Sequence, residues 1–324
     1  MSGKSPHQST VEICAHVNRH KFDRLDGVQL YECTDCALIF REATDADRNP
    51  EMLYDDFYKN EMPSRFHSPV EYVVRLLRLY RALKIFTIAL RARTILDIGS
   101  GRGFTLHYLR KFYGYWRTAG TQISRPALEF SRDVLGLEIY SEDFLERSWG
   151  NDRFDVVTMW HVLEHVPEPE RYIAKIHEVL NPYGRFIVEV PNFSSWTRRL
   201  TGKYWLGLDF QYHITMFTPA SLIAMLERHG FRTTLVHTFS LEYSTFLSAQ
   251  SIISRFTDTD QLFFRWLQGM KFPLGKVAAH FALTAAIAPF CLLINLLLFF
   301  TRRGEVLCVV AKKAGKEQVH LSKV

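Results

Sequence analysis

Three groups of residues in this 324-residue chain have the types and spacing that chemistry needs. The first is Asp97-Ile98-Gly99-Ser100-Gly101-Arg102-Gly103-Phe104, where three alternating glycines follow an apolar, β-branched stretch. Glycine lacks a Cβ, so a ligand can approach the backbone closely. A helix opening behind the turn favours a carboxylate at its N-terminus, and Asp97 can accept from an ammonium. A ligand carrying both groups is an amino-acid tail. A dinucleotide pyrophosphate would want glycine where Phe104 stands, which argues against a nucleotide-dependent oxidoreductase. The second group is His161, Glu164 and His165, joined by His213 in the loop Asp209–Ile214. Such residues can remove a proton from an acceptor. On a helix the first three would share one face, and a divalent ion held there would not be magnesium, because imidazole is a poor ligand for it. The third group is Cys14, His16, Cys33 and Cys36. Two ligand pairs about 17 residues apart suit a structural zinc, and four protein ligands leave no open position for catalysis.

Alternating strand and helix signals position these groups. Strands are predicted at 94–98, 118–123, 138–140, 154–159, 185–190, 231–238 and 305–311, and helices at 70–92, 104–112, 125–135, 168–180 and 219–229. This order predicts an α/β fold: an open, mostly parallel, Rossmann-like sheet with an antiparallel last strand and helices on both faces. Ligands in such sheets bind at the carboxyl ends of the strands. The expected organisation is a disordered stretch at 1–10 and a small Cys/His module at 11–45. A connector with a basic amphipathic helix follows at 46–93. The main domain takes 94–240 and 304–314, with an insertion at 241–303.

Composition narrows the class. Hydrophobic residues make up 47% and charged residues 23%, which excludes a disordered tail, a collagen-like fibre and a polytopic membrane protein. Five cysteines are too few for a disulfide scaffold. The start MSGKSPHQST has no apolar core, so no secretory signal is expected and a cytoplasmic setting follows. The net charge is +6, and the segment 71–93 alone holds six cations against Glu71. Arg75, Arg78, Arg81 and Lys84 recur every third residue. They read as a solvated helix face, or as a contact with an anionic membrane surface or substrate. No nucleic-acid recognition motif accompanies them. Val277–Thr301 runs 25 residues without Asp, Glu, Lys or Arg, interrupted by Pro289. A strand must return to the main domain after it. A broken or re-entrant helix pair inserted from the cytoplasmic, inner face of a membrane is therefore expected, with burial against the domain or in a homodimer, or a true span, as the other readings.

Asp97-Ile98-Gly99-Ser100-Gly101-Arg102-Gly103 resembles motif I of the class I S-adenosylmethionine-dependent methyltransferases. Further pieces match in order. They are Gly120-Thr121-Gln122-Ile123-Ser124, Ser141-Glu142-Asp143-Phe144, Phe154-Asp155-Val156-Val157, Trp160-His161-Val162-Leu163-Glu164-His165-Val166-Pro167, Leu180-Asn181-Pro182-Tyr183-Gly184-Arg185 and Val190-Pro191-Asn192. The resemblance spans about 94–240 with 305–312. It implies S-adenosylmethionine as cofactor, held by Asp97, Gly99, Gly101, Gly103, Gln122, Asp143 and Phe144, with Trp160 stacking on adenine or walling the pocket. Gln122 stands where the family usually has an acidic residue that takes both ribose hydroxyls. Tyr183 stands where its turn has glycine. The run from His161 to His165 resembles the Glu-x-x-Glu-His stretch of ubiquinone-pathway O-methyltransferases, with His161 replacing the first Glu. The implied reaction is methyl transfer to a small-molecule or lipid-linked acceptor. A sugar, quinone or glycolipid hydroxyl is expected, with His161 and His213 at the acceptor and Glu164 and His165 behind them. A non-catalytic S-adenosylmethionine-binding scaffold is the alternative. Many methyltransferases of this group carry an N-terminal zinc-ribbon-like module, and here its first arm is reduced to Cys14-Ala15-His16.

Overall fold

The computed structural model describes residues 13–45, 47, 68–259, 261–267 and 270–314. The expected disorder at 1–10, and most of the connector 46–69, lie outside these residues.

The Cys/His module is a hairpin of β1 (Arg19–Leu25) and β2 (Val28–Cys33), followed by β3 (Ile39–Phe40). Asp26 and Gly27 turn the hairpin with positive φ, the dipeptide such turns favour. The module is not separate from the main domain. Ile39 pairs with Met216 and Phe40 with Thr215.

Next comes α1 (Ser68–Ile88), then β4 (Thr94–Ile98), α2 (Phe104–Phe112), β5 (Arg117–Thr121), α3 (Arg125–Glu129) with a π turn at 130–134, β6 (Glu138–Tyr140) and β7 (Phe154–Trp160). The chain continues through α4 (Pro169–Val179), β8 (Leu180–Pro191), α5 (Trp196–Thr201), β9 (Thr215–Met216), α6 (Pro219–Arg228) and β10 (Phe231–His237). It closes with α7 (Ser244–Thr257), α8 (Leu262–Leu267), α9 (Leu274–Phe299) and β11 (Val306–Lys313). The main sheet runs β10-β11-β8-β7-β4-β5-β6. Strands β4 to β8 are parallel, and β11 is antiparallel to both its neighbours. Central strands such as TILDI and VLCVVA are apolar almost throughout because helices cover both faces. One core layer joins the sheet to α4 and α6 through Ile173, Ile176, Leu222 and Met225. The other joins it to α1 and α2 through Ala82, Ile85, Leu106 and Leu109. Helix α6 starts where the sequence marks it: Thr218 and Ser221 form a capping box ahead of Pro219.

Two expectations are corrected. The apolar run 277–301 is one continuous helix, α9, with Pro289 inside it, not a broken pair. Val277, His280, Cys291 and Asn295 form a buried stripe on both sides of Pro289. Packing along that stripe holds the helix across the hydrogen bond that proline cannot donate. Much of the basic side of α1 is turned inward and not solvated, with Arg75 the more exposed member at 40%. Arg78 and Arg81 pair with Glu242, and Lys84 Nζ lies 3.8 Å from Glu189. Buried acids on the sheet and after β10 draw these cations inward.

Candidate active site

Strand β4 delivers the glycine turn to the carboxyl edge of the sheet. Gly99, Gly101 and Gly103 all have positive φ (69°, 57° and 74°), the left-handed region that costs other residues energy. Their surroundings differ. A Cβ on Gly99 would lie 2.5 Å from a Val162 methyl, whereas one on Gly101 would meet nothing within 4 Å. Gly99 is therefore needed for packing and Gly101 borders open space. Gly103 N-caps α2. Pairing of β4 with β7 places Asp97 opposite Thr158, whose hydroxyl donates to Asp97 Oδ1 at 2.5 Å. Burial pushes the Asp97 carboxyl up to about 6, against Thr158 and the Arg81 and Arg78 guanidiniums, which pull it down.

Beside the turn is an open cleft lined by Gly99, Thr121, Gln122, Asp143, Phe144 and His165, with Asp47 of the N-terminal segment also at its wall. Gln122 Oε1 accepts from Ser124 N at 2.8 Å just before α3, which leaves its amide nitrogen and a second oxygen lone pair for a ligand. Asp143 is held by Leu145 N (2.7 Å) and by the Tyr172 hydroxyl. Phe144 touches the cleft, but its ring packs inward against Trp149 and Tyr172. These residues fit S-adenosylmethionine, because an open glycine cradle lies between a buried acid and a helix N-terminus, with polar side chains at the ends of β5 and β6.

Behind the turn sits a charged cluster. His161 is not on a helix with Glu164 and His165. It has φ 54°, and only 163–165 form a short 3₁₀ turn. A left-handed histidine stores backbone strain, a pattern that gathers at functional sites. Its Nδ1 lies 3.2 Å from Glu164 Oε1 and its Nε2 3.5 Å from Glu189 Oε1. Burial would lower the His161 pKa, but the two carboxylates outweigh it and raise it to about 10. The Tyr243 ring packs edge-on at 4.4 Å.

His165 and His213 behave differently. His165 Nδ1 faces the Tyr212 carbonyl (3.2 Å) and His213 Nδ1 the Gly207 carbonyl (3.0 Å), with the rings 4.7 Å apart. A carbonyl only accepts, so each Nδ1 carries the proton and each Nε2 the lone pair. Burial lowers both pKa values, that of His165 to about 4, so both rings are neutral. Glu164, His165 and His213 bring ligand atoms within 4.8 Å of one another, a set able to hold a metal ion. His161 is not in it.

The knuckle residues Cys14, His16, Cys33 and Cys36 also converge within 4.8 Å. Cys14 Sγ and Cys33 Sγ are 3.7 Å apart, and Cys36 Sγ and His16 Nδ1 3.3 Å apart. A tetrahedral zinc with Zn–S of about 2.3 Å and Zn–N of about 2.0 Å needs separations of about 3.8 and 3.5 Å, so the set fits. Burial raises the Cys14 and Cys36 thiols. Arg41 ties the module to the site. Its Nε donates to the His213 carbonyl (3.0 Å), and its guanidinium grips Asp47 (2.6 and 2.7 Å).

Of the residues expected at the cofactor, Gly99, Gln122, Asp143 and Phe144 line the cleft, Asp97, Gly101 and Gly103 lie in the turn beside it, and Trp160 falls elsewhere. Its indole belongs to the core under α1, with the Arg81 guanidinium 4.4 Å above it. This corrects adenine stacking: the last residue of β7 points to the α1 face. The sequence reading missed Glu189, Tyr243, Glu242 and the inward α1 cations. Glu189 carried a signal, since a lone acid within a buried apolar strand needs a partner. Glu242 and Tyr243 sit in a loop without any pattern.

The Methyltransferase domain family matches residues 70–236, just over half the chain. A ubiquinone biosynthesis O-methyltransferase of Coxiella burnetii is 25% identical over 156 residues, 45% of this chain and 66% of that protein. A mitochondrial arginine-hydroxylase of Rattus norvegicus is 28% identical, over 61% of this chain and 54% of that protein. The chain thus spans just under two thirds of the first of these curated relatives and about half of the second. Among solved structures, a S-adenosylmethionine-dependent methyltransferase from Archaeoglobus fulgidus is similar at 22% identity and TM-score 0.48, over 74% of this chain and 94% of that one. With its glycine turn, its strand order and the family match taken together, this chain belongs to the class I S-adenosylmethionine-dependent methyltransferases.

Proposed function

We propose that this protein transfers a methyl group from S-adenosylmethionine to a hydroxyl of a small-molecule or lipid-linked acceptor. The observation that carries the reading is the open space over Gly101, between buried Asp97 and the start of α2. Bound there, S-adenosylmethionine supplies an electrophilic methyl that needs no further activation. The chain's task is then positioning and proton removal. Asp97 and the glycine turn hold the amino-acid end, and Gln122 and Asp143 the nucleoside end. His161, kept protonated between Glu164 and Glu189, is a fixed donor and not a base at neutral pH. Neutral His165, at the cleft wall with the His213 ring 4.7 Å away, is the residue placed to take the acceptor's proton, and His213 and Glu164 support it. The hydroxyl acceptor follows the likeness to ubiquinone biosynthesis O-methyltransferases.

Calorimetry with S-adenosylmethionine, followed by turnover on lipid extracts, tests the reading. Binding without turnover on any acceptor would favour a scaffold. Gln122→Glu is expected to tighten S-adenosylmethionine binding about tenfold, because a carboxylate accepts a charge-assisted bond from ribose where the amide cannot. Titration calorimetry of the two proteins measures it.

The N-terminal module is proposed to hold one structural zinc on Cys14, His16, Cys33 and Cys36. Metal analysis of the purified chain is expected to find one equivalent. Cys33→Ser is expected to lose it, and to lower the melting temperature, because the module's β3 pairs with β9 next to His213.

A further inference from the structure

Helix α1 is built inside out. Between 71 and 88 its cations are drawn to Glu71, Glu242 and Glu189, with Arg78, Arg81 and Lys84 turned inward and Arg75 partly exposed. Its outward residues are Tyr72, Val73, Leu76, Tyr80 and Leu83, spaced three and four apart, with Leu76 66% exposed. No charged side chain is among these exposed positions. Helix α9 does the same on a larger scale. It turns one stripe inward and leaves Phe281, Phe290, Leu293, Leu297 and Phe300 outside, Phe290 at 68% and Phe300 at 82%. A soluble protein rarely shows so much continuous apolar surface without a partner.

Both helices border the same loop. Asn295 of α9 donates to Ser248 Oγ (2.8 Å) and lies beside Ser244 O (3.4 Å) at the start of α7. Glu242, just before, holds Arg78 and Arg81 of α1. Helix α9 is 26 residues long, about 39 Å at 1.5 Å per residue. Its length would span a bilayer, but its attachments forbid that. Thr284 accepts from Gln250 of α7, Val277 packs with Leu262 and Phe263 of α8, and the far end is tied by Asn192 to the carbonyls of Arg302 and Gly304. Both ends and the middle are fastened to one body, so the helix lies along its flank.

We propose that α1 and α9 form a docking surface for an anionic lipid bilayer, into which α9 sinks lengthwise. Charge selects this occupant. Between Gln261 and Gly304 the chain carries Arg265, Lys271, Lys276, Arg302 and Arg303 and no acid. They flank the apolar run at both ends, where headgroup phosphates would meet them. In a two-fold interface between copies the same five cations would face their own kind. A chain docked on a bilayer favours a lipid-linked hydroxyl as the acceptor class, a step that rests on the reaction proposed above. The docking itself does not.

Flotation of the full chain with phosphatidylcholine–phosphatidylglycerol vesicles tests the docking. The chain is expected to float with them, and less with phosphatidylcholine alone. The double substitution Phe290→Glu, Leu293→Glu is expected to lower vesicle partitioning about tenfold or more, and Leu76→Glu, Leu83→Glu severalfold. S-adenosylmethionine affinity should be unchanged in each, which shows that the fold survives. Absence of flotation with either vesicle would overturn the docking. So would a dimer in solution that the same substitutions dissociate. Flotation by a chain that binds no S-adenosylmethionine would support the docking and sink the reaction.

Discussion

Gly101→Val is expected to fold and to lose S-adenosylmethionine affinity by about a hundredfold or more, some 3 kcal/mol at 1.4 kcal/mol per decade. The effect comes from two terms. Gly101 has φ 57°, and a β-branched residue resists that region by about 1–2 kcal/mol. The side chain would also enter the open space that the methionine end is proposed to occupy. Gly99→Ala is the informative contrast. Its Cβ collides with Val162, so its main effect is expected on stability, with affinity following only as the turn shifts. Calorimetry paired with urea unfolding separates the two. Equal affinity in Gly101→Val and wild type would mean that the cofactor lies elsewhere.

Glu189→Ala is expected to destabilise the protein by about 3–5 kcal/mol, the cost of leaving buried charge without its partner. Glu189 is 2% exposed on β8, with His161 at 3.5 Å and Lys84 at 3.8 Å, and it also accepts from Ser240. Removing it strands two cations under α1. The same groups set a pH signature. Burial would raise the Glu189 carboxyl, but His161, Lys84 and Arg81 outweigh it and hold it down at about 2, below its ordinary 4.5. Its contribution to stability is present above about pH 4.5 and is lost as pH falls toward 2. His161 is raised from 6.5 to about 10, so its contribution is full below about pH 6.5 and is lost as pH rises through 10. Stability against pH, by urea unfolding across pH 3 to 10, should show both limbs flattened in Glu189→Ala. An unchanged profile would mean that the pair does not couple to folding.

Much of the main domain was legible in the sequence because its signals are local. Strand β4 and helix α2 begin and end where their apolar runs and the glycine turn say, and α6 (Pro219–Arg228) falls within the predicted 219–229. Antiparallel β11 was placed through its likeness to a last strand, and it returns to the sheet antiparallel as expected, between β8 and β10. The four knuckle ligands were likewise named from residue types, and the fold brings them within reach; of the expected set His161, Glu164 and His165, only the last two converge, with His213 taking the place of His161.

What the sequence by itself determined was the order of elements, the glycine turn after β4 and the inventory of possible ligating side chains, since periodicity and backbone chemistry act over a few residues. Only the tertiary structure decided which way α1 faces. Its cations look like a solvated side until Glu189 on β8 and Glu242 after β10 are folded against them. It likewise decided that Trp160 belongs to the α1 face and that His161 is clamped between acids 3 and 28 positions along the chain. Pro289 predicted a break that packing against α7 overrides. Charge pairing and burial are properties of long-range contacts, and no run of neighbouring residues encodes them.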